Sequence, residues 1–195
     1  IARRQILLVQ VVKEERGTKG AALTTYISIA GRYCVLMPNT PRGGGVSRKI
    51  ANLNDRKRLK KIVDDLDVAT GMAVIVRTAG SKRTKTEIKR DYSNSIGIWE
   101  NVKNLTLESN APFLIHEEGS LVKRAIRDLY HSDIDEVLVD GNEAYKTCKN
   151  YMKSLMPSHA KKVQQYNDDK NPLFQKYKLD SQLHDIFNPK VTLKS

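Results

Sequence analysis

Residues 72–78 read MAVIVRT, an apolar run that ends in an arginine and a threonine. This pattern predicts a buried strand with Arg77 and Thr78 at its exit. A guanidinium is a planar fork that holds a phosphate through two hydrogen bonds, and a neighbouring hydroxyl adds a further donor. The rigid end of a strand keeps both groups in place, as discrimination between phosphate states requires. Judged by spacing alone, a surface ion pair of Arg77 remains the alternative.

The residues on either side of this run predict a mixed α and β architecture. The β-rich stretches are bounded by Gly and Pro, whereas the helical stretches repeat apolar residues at i, i+3, i+4 and i+7. Asn54 is expected to cap the first helix. The predicted strands of the first half are 5–12, 22–31, 32–38 and 72–78, and the predicted helices are 55–67 and 84–104.

A composition break at residues 110–112 (Asn-Ala-Pro) predicts a domain boundary. Beyond it, apolar strands alternate with helical patterns, which implies a small α/β layer with parallel strand pairing. The predicted strands of this second half are 113–116, 135–140 and 162–166, and the predicted helices are 119–130, 142–155 and 180–187.

The positive charge is concentrated in the first half of the chain. The 195 residues include 34 Lys and Arg against 22 Asp and Glu, a net charge of +12. Residues 1–100 hold 20 basic and 9 acidic residues, a net of +11, and residues 101–195 hold 14 and 13, a net of +1. This asymmetry favours a polyanion partner such as nucleic acid over lysines that only solvate the surface. Aromatic residues are few in the first half, so phosphate contact is expected rather than base stacking.

The sequence argues against several other classes of protein. No apolar run approaches the roughly 20 residues that a membrane span needs, and no cleavable signal is expected at the N-terminus. Cys34 and Cys148 form no CxxC pair, so we expect two reduced core thiols in a cytosolic protein. The four histidines share no ligand spacing, and no metal site is expected on them.

Two further clusters could carry chemistry. The loop PRGGGVSRK (41–49) combines glycines, which let backbone N–H groups approach a phosphate, with Arg42 and Arg48; a flexible loop is the alternative. Four acids, Asp133, Asp135, Glu136 and Asp140, cluster around a predicted strand. A two-metal nuclease needs acids that converge on metals about 4 Å apart. Asp135 and Glu136 begin the strand and Asp140 ends it, so they lie at opposite ends, and we expect loop or cap contacts from Asp133 and Asp135.

Four segments occur in order along the chain: VKEERGTKGAALTTYISIAGRYCVLMPN (12–39), GGGVSRKI (43–50), GMAVIVRTAG (71–80) and APFLIHEEGSLVKRAIRD (111–128). Together they strongly resemble the ribonuclease E/G family of bacterial endoribonucleases. The resemblance runs essentially from end to end. Its most specific part is VRTAG with the upstream AGRYCVLMPN.

The resemblance implies a domain organisation and an α+β fold class. Residues 1–25 resemble the last part of an OB-fold RNA-binding domain, residues 26–122 a 5′-sensor region, and residues 123–195 a small α/β ribonuclease H-like region without activity. The DNase I-like region of the family carries the magnesium-binding aspartates, and the paired cysteines of a zinc link follow it. Both are expected beyond residue 195, so we expect neither Mg²⁺ nor Zn²⁺ in this chain and no RNA cleavage by it alone.

The resemblance also assigns the residues that recognise the 5′-monophosphate of RNA. It places the phosphate fork on Arg77, the hydroxyl on Thr78, and backbone or packing contacts on Gly31 and Val35. Further RNA contacts are implied at Lys19, Val46 and Arg48.

The function implied by the resemblance is an RNA-binding part of an endoribonuclease that senses the 5′-monophosphate in rRNA processing and mRNA decay. The implied partners are RNA and, in the intact enzyme, further copies of the same chain. The implied location is the bacterial cytoplasm, with peripheral association of the intact enzyme at the inner membrane. Two alternatives remain open: a self-sufficient metal-dependent nuclease that uses Asp133, Asp135 and Asp140, and a non-catalytic scaffold for subunit docking.

Overall fold

A computed structural model describes residues 2–41, 44–118 and 120–191. The chain forms two compact units, residues 1–119 and 120–195. Each unit has its own apolar core. Strands and helices occur in both, so the predicted mixed α and β class is confirmed.

The first unit contains a hairpin, a four-stranded sheet and two helices. Strands β1 (Gln10–Lys13) and β2 (Ala22–Thr24) pair antiparallel and form a separate two-stranded sheet. The other elements of this unit are β3 (Ile29–Ala30), β4 (Cys34–Met37), β5 (Gly45–Val46), α1 (Leu53–Asp64), β6 (Ala73–Val76) and α2 (Lys85–Glu108).

The strand order β3-β4-β6-β5 brings several loops to one edge of the sheet. Strand β6 runs antiparallel to β4 and parallel to β5, and Val76 pairs with both Cys34 and Val46. The ends of β3, β5 and β6 and the start of β4 therefore lie side by side. We call this the loop edge, formed by residues 31–33, 47–50 and 77–80.

The two helices of the first unit begin at side-chain caps. Asn52, rather than the predicted Asn54, caps α1, because its Oδ1 accepts the N–H groups of Asn54 and Asp55 at 2.9 and 3.1 Å. Helix α2 begins at a capping box in which Thr84 and Glu87 each bond to the backbone N–H of the other. It continues four residues beyond the predicted end at 104.

The second unit is built on a parallel strand–helix–strand arrangement, as predicted. Strands β7 (Val137–Asp140) and β8 (Val163–Tyr166) pair in parallel, and α4 (Asn142–Leu155) connects them. Cys148 and Met152 of α4 are buried in the core of this unit. Its other helices are α3 (Leu121–Asp128), α5 (Leu173–Lys176) and α6 (Leu179–Ile186).

The predicted strand over 113–116 is wrong. These residues form neither helix nor strand, and Phe113 and Leu114 are exposed. A short apolar run becomes a strand only where a neighbouring strand takes up its backbone hydrogen bonds, and none pairs with it in the described part of the chain. Within the same ranges, no helix is both long and apolar enough to cross a bilayer.

Candidate functional site

Arg77 leaves the sheet from β6, which lies between β4 and β5. Its backbone N–H donates to the carbonyl oxygen of Tyr33 at 2.8 Å, and its Nη1 donates to the carbonyl oxygen of Gly31 at 2.6 Å. The side chain is half-buried, whereas Thr78 is exposed at the start of a short 3-10 turn that ends at Gly80. The backbone of the 31–33 loop therefore holds the guanidinium in a defined orientation at the loop edge.

A buried carboxylate organises the 31–33 loop. Asp91 of α2 is only 3% exposed and accepts the backbone N–H groups of Arg32, Tyr33 and Cys34 at 2.9, 2.8 and 2.9 Å. Burial, reinforced by the charge of Asp91, raises the pKa of the Cys34 thiol, which stays protonated and donates from Sγ to Asp91 Oδ2 at 3.3 Å. Because such charge-assisted bonds are strong, Asp91 fixes the loop whose carbonyl orients Arg77.

Two arginines pack on the buried ring of Tyr33. The guanidinium carbons of Arg32 and Arg83 lie 5.3 and 5.4 Å from the ring centroid, within the range of cation–π attraction. The ring is 3% exposed, so it is not available for stacking on a base. Tyr33 instead holds the positively charged guanidinium groups of Arg32 and Arg83 close to the loop edge.

The loop after β5 brings Arg48 towards the exit of β6. The N–H of Ser47 donates to the carbonyl oxygen of Val76 at 2.9 Å. Arg56 of α1 donates from Nη1 to the carbonyl oxygens of Ser47 and Ile50 at 2.8 and 3.2 Å. These bonds tie the loop to β6 and α1 and leave the Arg48 side chain exposed. The predicted glycine-rich anion site also includes Arg42 and Gly43, which lie outside the described residues.

The glycine at position 31 is expected to be essential to this packing. A Cβ on it would lie 2.4 Å from Asp91 Oδ2 and 2.8 Å from the carbonyl oxygen of Cys34, and neither atom can withdraw without losing its hydrogen bonds. We expect Gly31→Ala to lower the free energy of unfolding by about 1–3 kcal/mol, measured by chemical denaturation. Gly97→Ala, in α2 with nothing within 4 Å of its Cβ, is the matched control and should not destabilise. Equal effects of the two substitutions would contradict the assignment.

The model of the ribonuclease E/G family matches residues 28–195, which include all of the four-stranded sheet and its loop edge. The chain belongs to the ribonuclease E/G family. Ribonuclease E of Haemophilus influenzae is 43% identical over 191 residues, which cover 98% of this chain and 20% of that protein. For ribonuclease E of Escherichia coli the identity is 42% over 192 residues, or 98% of this chain and 18% of the relative.

A more distant relative gives the same assignment. Ribonuclease G of Escherichia coli is 30% identical over 195 residues, which cover all of this chain and 39% of that protein. The chain thus spans about a fifth of the length of the two ribonucleases E and well under half of ribonuclease G.

Six of the seven residues that the family resemblance implied belong to the four-stranded sheet or its loop edge. Val35 lies within β4, half-buried and paired with Ala30 and Ile75, where a packing contact is possible. The exception is Lys19, which lies in the turn of the β1–β2 hairpin and pairs through its backbone with Arg16. The six residues are Gly31, Val35, Val46, Arg48, Arg77 and Thr78.

Sequence reasoning missed Asp91, although a signal was present. Ile88, Asp91 and Ser95 follow i, i+3, i+7 in the predicted helix, and all three are buried. An acid on the apolar face of an amphipathic helix must have hydrogen-bond donors around it, because an unpaired buried charge is costly. The pattern therefore indicated a buried acceptor, but only the fold identifies the 31–34 backbone as its donor.

The acids of the second unit do not converge. Asp133 and Asp135 precede β7 and Asp140 ends it. Asp133 is paired with Ser132 and His131 at 3.0 and 3.3 Å, and these contacts, led by the Ser132 hydrogen bond, lower the pKa of its carboxyl. Across the described ranges, no group of three or more His, Cys, Asp or Glu is placed to hold a metal ion. The arrangement thus offers no support to the alternative of a self-sufficient nuclease.

Proposed function

We propose that this chain is the RNA-binding part of a ribonuclease E/G-type endoribonuclease and that its loop edge senses the 5′-monophosphate of RNA. The observation that carries the proposal is the placement of Arg77. Its guanidinium is oriented by the Gly31 carbonyl at the end of an inner strand, in the half of the chain that carries a net charge of +11. An arginine held in this way suits bidentate recognition of a phosphate.

Selectivity for a monophosphate follows from how well the hydrogen-bond donors at the loop edge match the oxygen atoms of each 5′ end. A terminal monophosphate would accept hydrogen bonds from Arg77 and from the exposed hydroxyl of Thr78. A triphosphate would bring additional charge and oxygen atoms beyond those that Arg77 and Thr78 can bind, so mismatch would disfavour it. A 5′-hydroxyl would lose the charge-assisted bonds altogether.

The neighbouring residues would hold the first nucleotides. Val46 and Arg48 adjoin the exit of β6 through the Ser47–Val76 bond and would contact the terminal nucleotide. Lys19 would contact RNA from the hairpin. In the complete enzyme, docking of the 5′ end would orient the RNA for cleavage, so that binding free energy is used for positioning.

The remaining properties implied by the family are part of this proposal. The complete protein would be a homo-oligomer of the bacterial cytoplasm, peripheral at the inner membrane, that acts in rRNA processing and mRNA decay. Its Mg²⁺ and Zn²⁺ would be bound by residues outside these 195.

Titration of the wild-type chain with one unstructured RNA bearing three different 5′ ends tests the proposal. We expect the 5′-monophosphate RNA to bind at least about tenfold more tightly than the 5′-hydroxyl RNA, because a hydrogen bond to a charged group contributes roughly 1.5–3 kcal/mol. The triphosphate RNA should bind less tightly than the monophosphate. Fluorescence anisotropy with a 3′-label measures all three affinities. Equal affinities would contradict sensing and favour the scaffold alternative.

A further inference from the structure

A groove of about 950 Å³ runs along helix α1 and the edge strand β5 in the first unit. Helix α1 lines it from Leu53 to Asp64, a length of roughly 16 Å at about 1.5 Å per residue. At one end the groove reaches Ser47 and Arg48, which belong to the loop edge. Gly31, Val35, Arg77 and Thr78, the residues assigned to 5′-phosphate recognition, are not among the described residues that line this groove.

Several basic side chains line the groove. Arg48, Lys57 and Lys60 are exposed around it, and Asp64 is the only acid among the described residues that line it. Among the described residues, neither lysine has a hydrogen bond or an ion pair. Lys57 and Lys60 are three residues apart and hence neighbours on one helix face, with Cβ atoms about 5–6 Å apart. Side chains of this charge and spacing suit an occupant with closely repeated negative charges.

Apolar side chains also line the groove. Leu53 is 72% exposed at the start of α1, although it is a large aliphatic residue. Val63 and Met72 are only partly buried where they line the groove. These apolar side chains offer van der Waals contact to the sugars and bases of a single strand, while the lysines contact its phosphates.

We infer that this groove binds the nucleotides that follow the 5′ end of a single-stranded RNA. The inference rests on the proposed function, because it requires the 5′ end to lie at the loop edge. Continuity favours RNA over an acidic peptide: Ser47 lines the groove and donates to the carbonyl oxygen of Val76, the residue before Arg77. An RNA strand whose 5′ end lies at Arg77 thus has a path along α1 that is lined by basic and apolar side chains.

The test uses the double variant Lys57→Ala/Lys60→Ala and two probes, a dinucleotide and a decanucleotide of 5′-monophosphorylated oligoadenylate. At about 0.1 M salt the double variant should bind the decanucleotide roughly tenfold more weakly and the dinucleotide unchanged. The slope of log affinity against log salt for the decanucleotide should fall by about 1.4, since each phosphate contact of a single strand contributes about 0.7. Lys61→Ala, an exposed lysine of the same helix outside the groove, is the control and should change neither.

Three outcomes would overturn the inference. One is a decanucleotide affinity equal to that of the wild type, and another is an equal loss for both probes. The third is competition by deca-glutamate as effective as that by the decanucleotide and equally sensitive to the lysine substitutions, which would assign the groove to an acidic peptide. Failure of the proposed function would give a different result. RNAs with different 5′ ends would then bind equally, but the lysine substitutions would still weaken the decanucleotide more than the dinucleotide. Thermal unfolding of both variants verifies that they fold.

Discussion

Replacing Arg77 with alanine should abolish the preference for a 5′-monophosphate while the chain stays folded. The substitution removes the guanidinium fork and its bond to the Gly31 carbonyl but leaves the β6 backbone paired with β4 and β5. Loss of hydrogen bonds to a charged phosphate costs roughly 1.5–3 kcal/mol, which corresponds to about ten- to hundredfold weaker binding of the monophosphate RNA. Binding of the 5′-hydroxyl RNA should hardly change. Anisotropy titrations with both RNAs measure the ratio.

Two further variants test whether discrimination depends on the planar pair of donors of Arg77 or only on positive charge. Arg77→Lys keeps the positive charge but not the planar pair of donors, so it should keep the salt dependence and lose most of the discrimination. Arg124→Ala removes an exposed arginine of α3 in the other unit and should leave the ratio of affinities unchanged. If Arg77→Ala keeps the wild-type ratio of the affinities for 5′-monophosphate and 5′-hydroxyl RNA, Arg77 does not recognise the phosphate, whatever the overall affinity.

Asp91→Ala should cause a large loss of stability in the first unit. The carboxylate accepts three backbone N–H groups and the Cys34 thiol at a position that is 3% exposed. Each buried donor left without an acceptor costs about 1–3 kcal/mol, so the free energy of unfolding should fall by roughly 3 kcal/mol or more. Trp99 is the only tryptophan of the chain and packs against the core of this unit. Its fluorescence during urea denaturation therefore reports the transition.

Two substitutions on α2 act as comparisons for Asp91→Ala. Asp91→Asn keeps one side-chain oxygen as an acceptor. Its free energy of unfolding should therefore lie between those of the wild type and Asp91→Ala. Glu100→Ala removes an exposed carboxylate that pairs with Lys103 at 2.8 Å, and a surface pair of this kind contributes little. A stability loss in Asp91→Ala no greater than that of Glu100→Ala would show that the loop does not depend on the carboxylate.

The local sequence pattern was sufficient to predict the elements that are specified by residues close together in the chain. Helix α4 begins and ends at the predicted residues 142 and 155, because its apolar spacing is continuous between clear breaks. Strand β6 was predicted from its apolar run, with Arg77 directly after it. Two of the errors arose where the pattern permits two solutions: both Asn52 and Asn54 can cap a helix, and the apolar run 113–116 pairs with no strand in the part of the chain that the structure describes.

The site itself depends on contacts that no local pattern encodes. Arg77 takes its orientation from Gly31, 46 residues upstream, and Asp91 holds an amide 59 residues away. Periodicity reports which face of an element is buried, but it does not report which element covers that face. The positive charge of the first half, the polar pair Arg77 and Thr78, and the mixed α and β class could therefore be predicted from the sequence. The meeting of three loops at one edge required the strand order β3-β4-β6-β5, because only that order places the ends of β5 and β6 beside the start of β4.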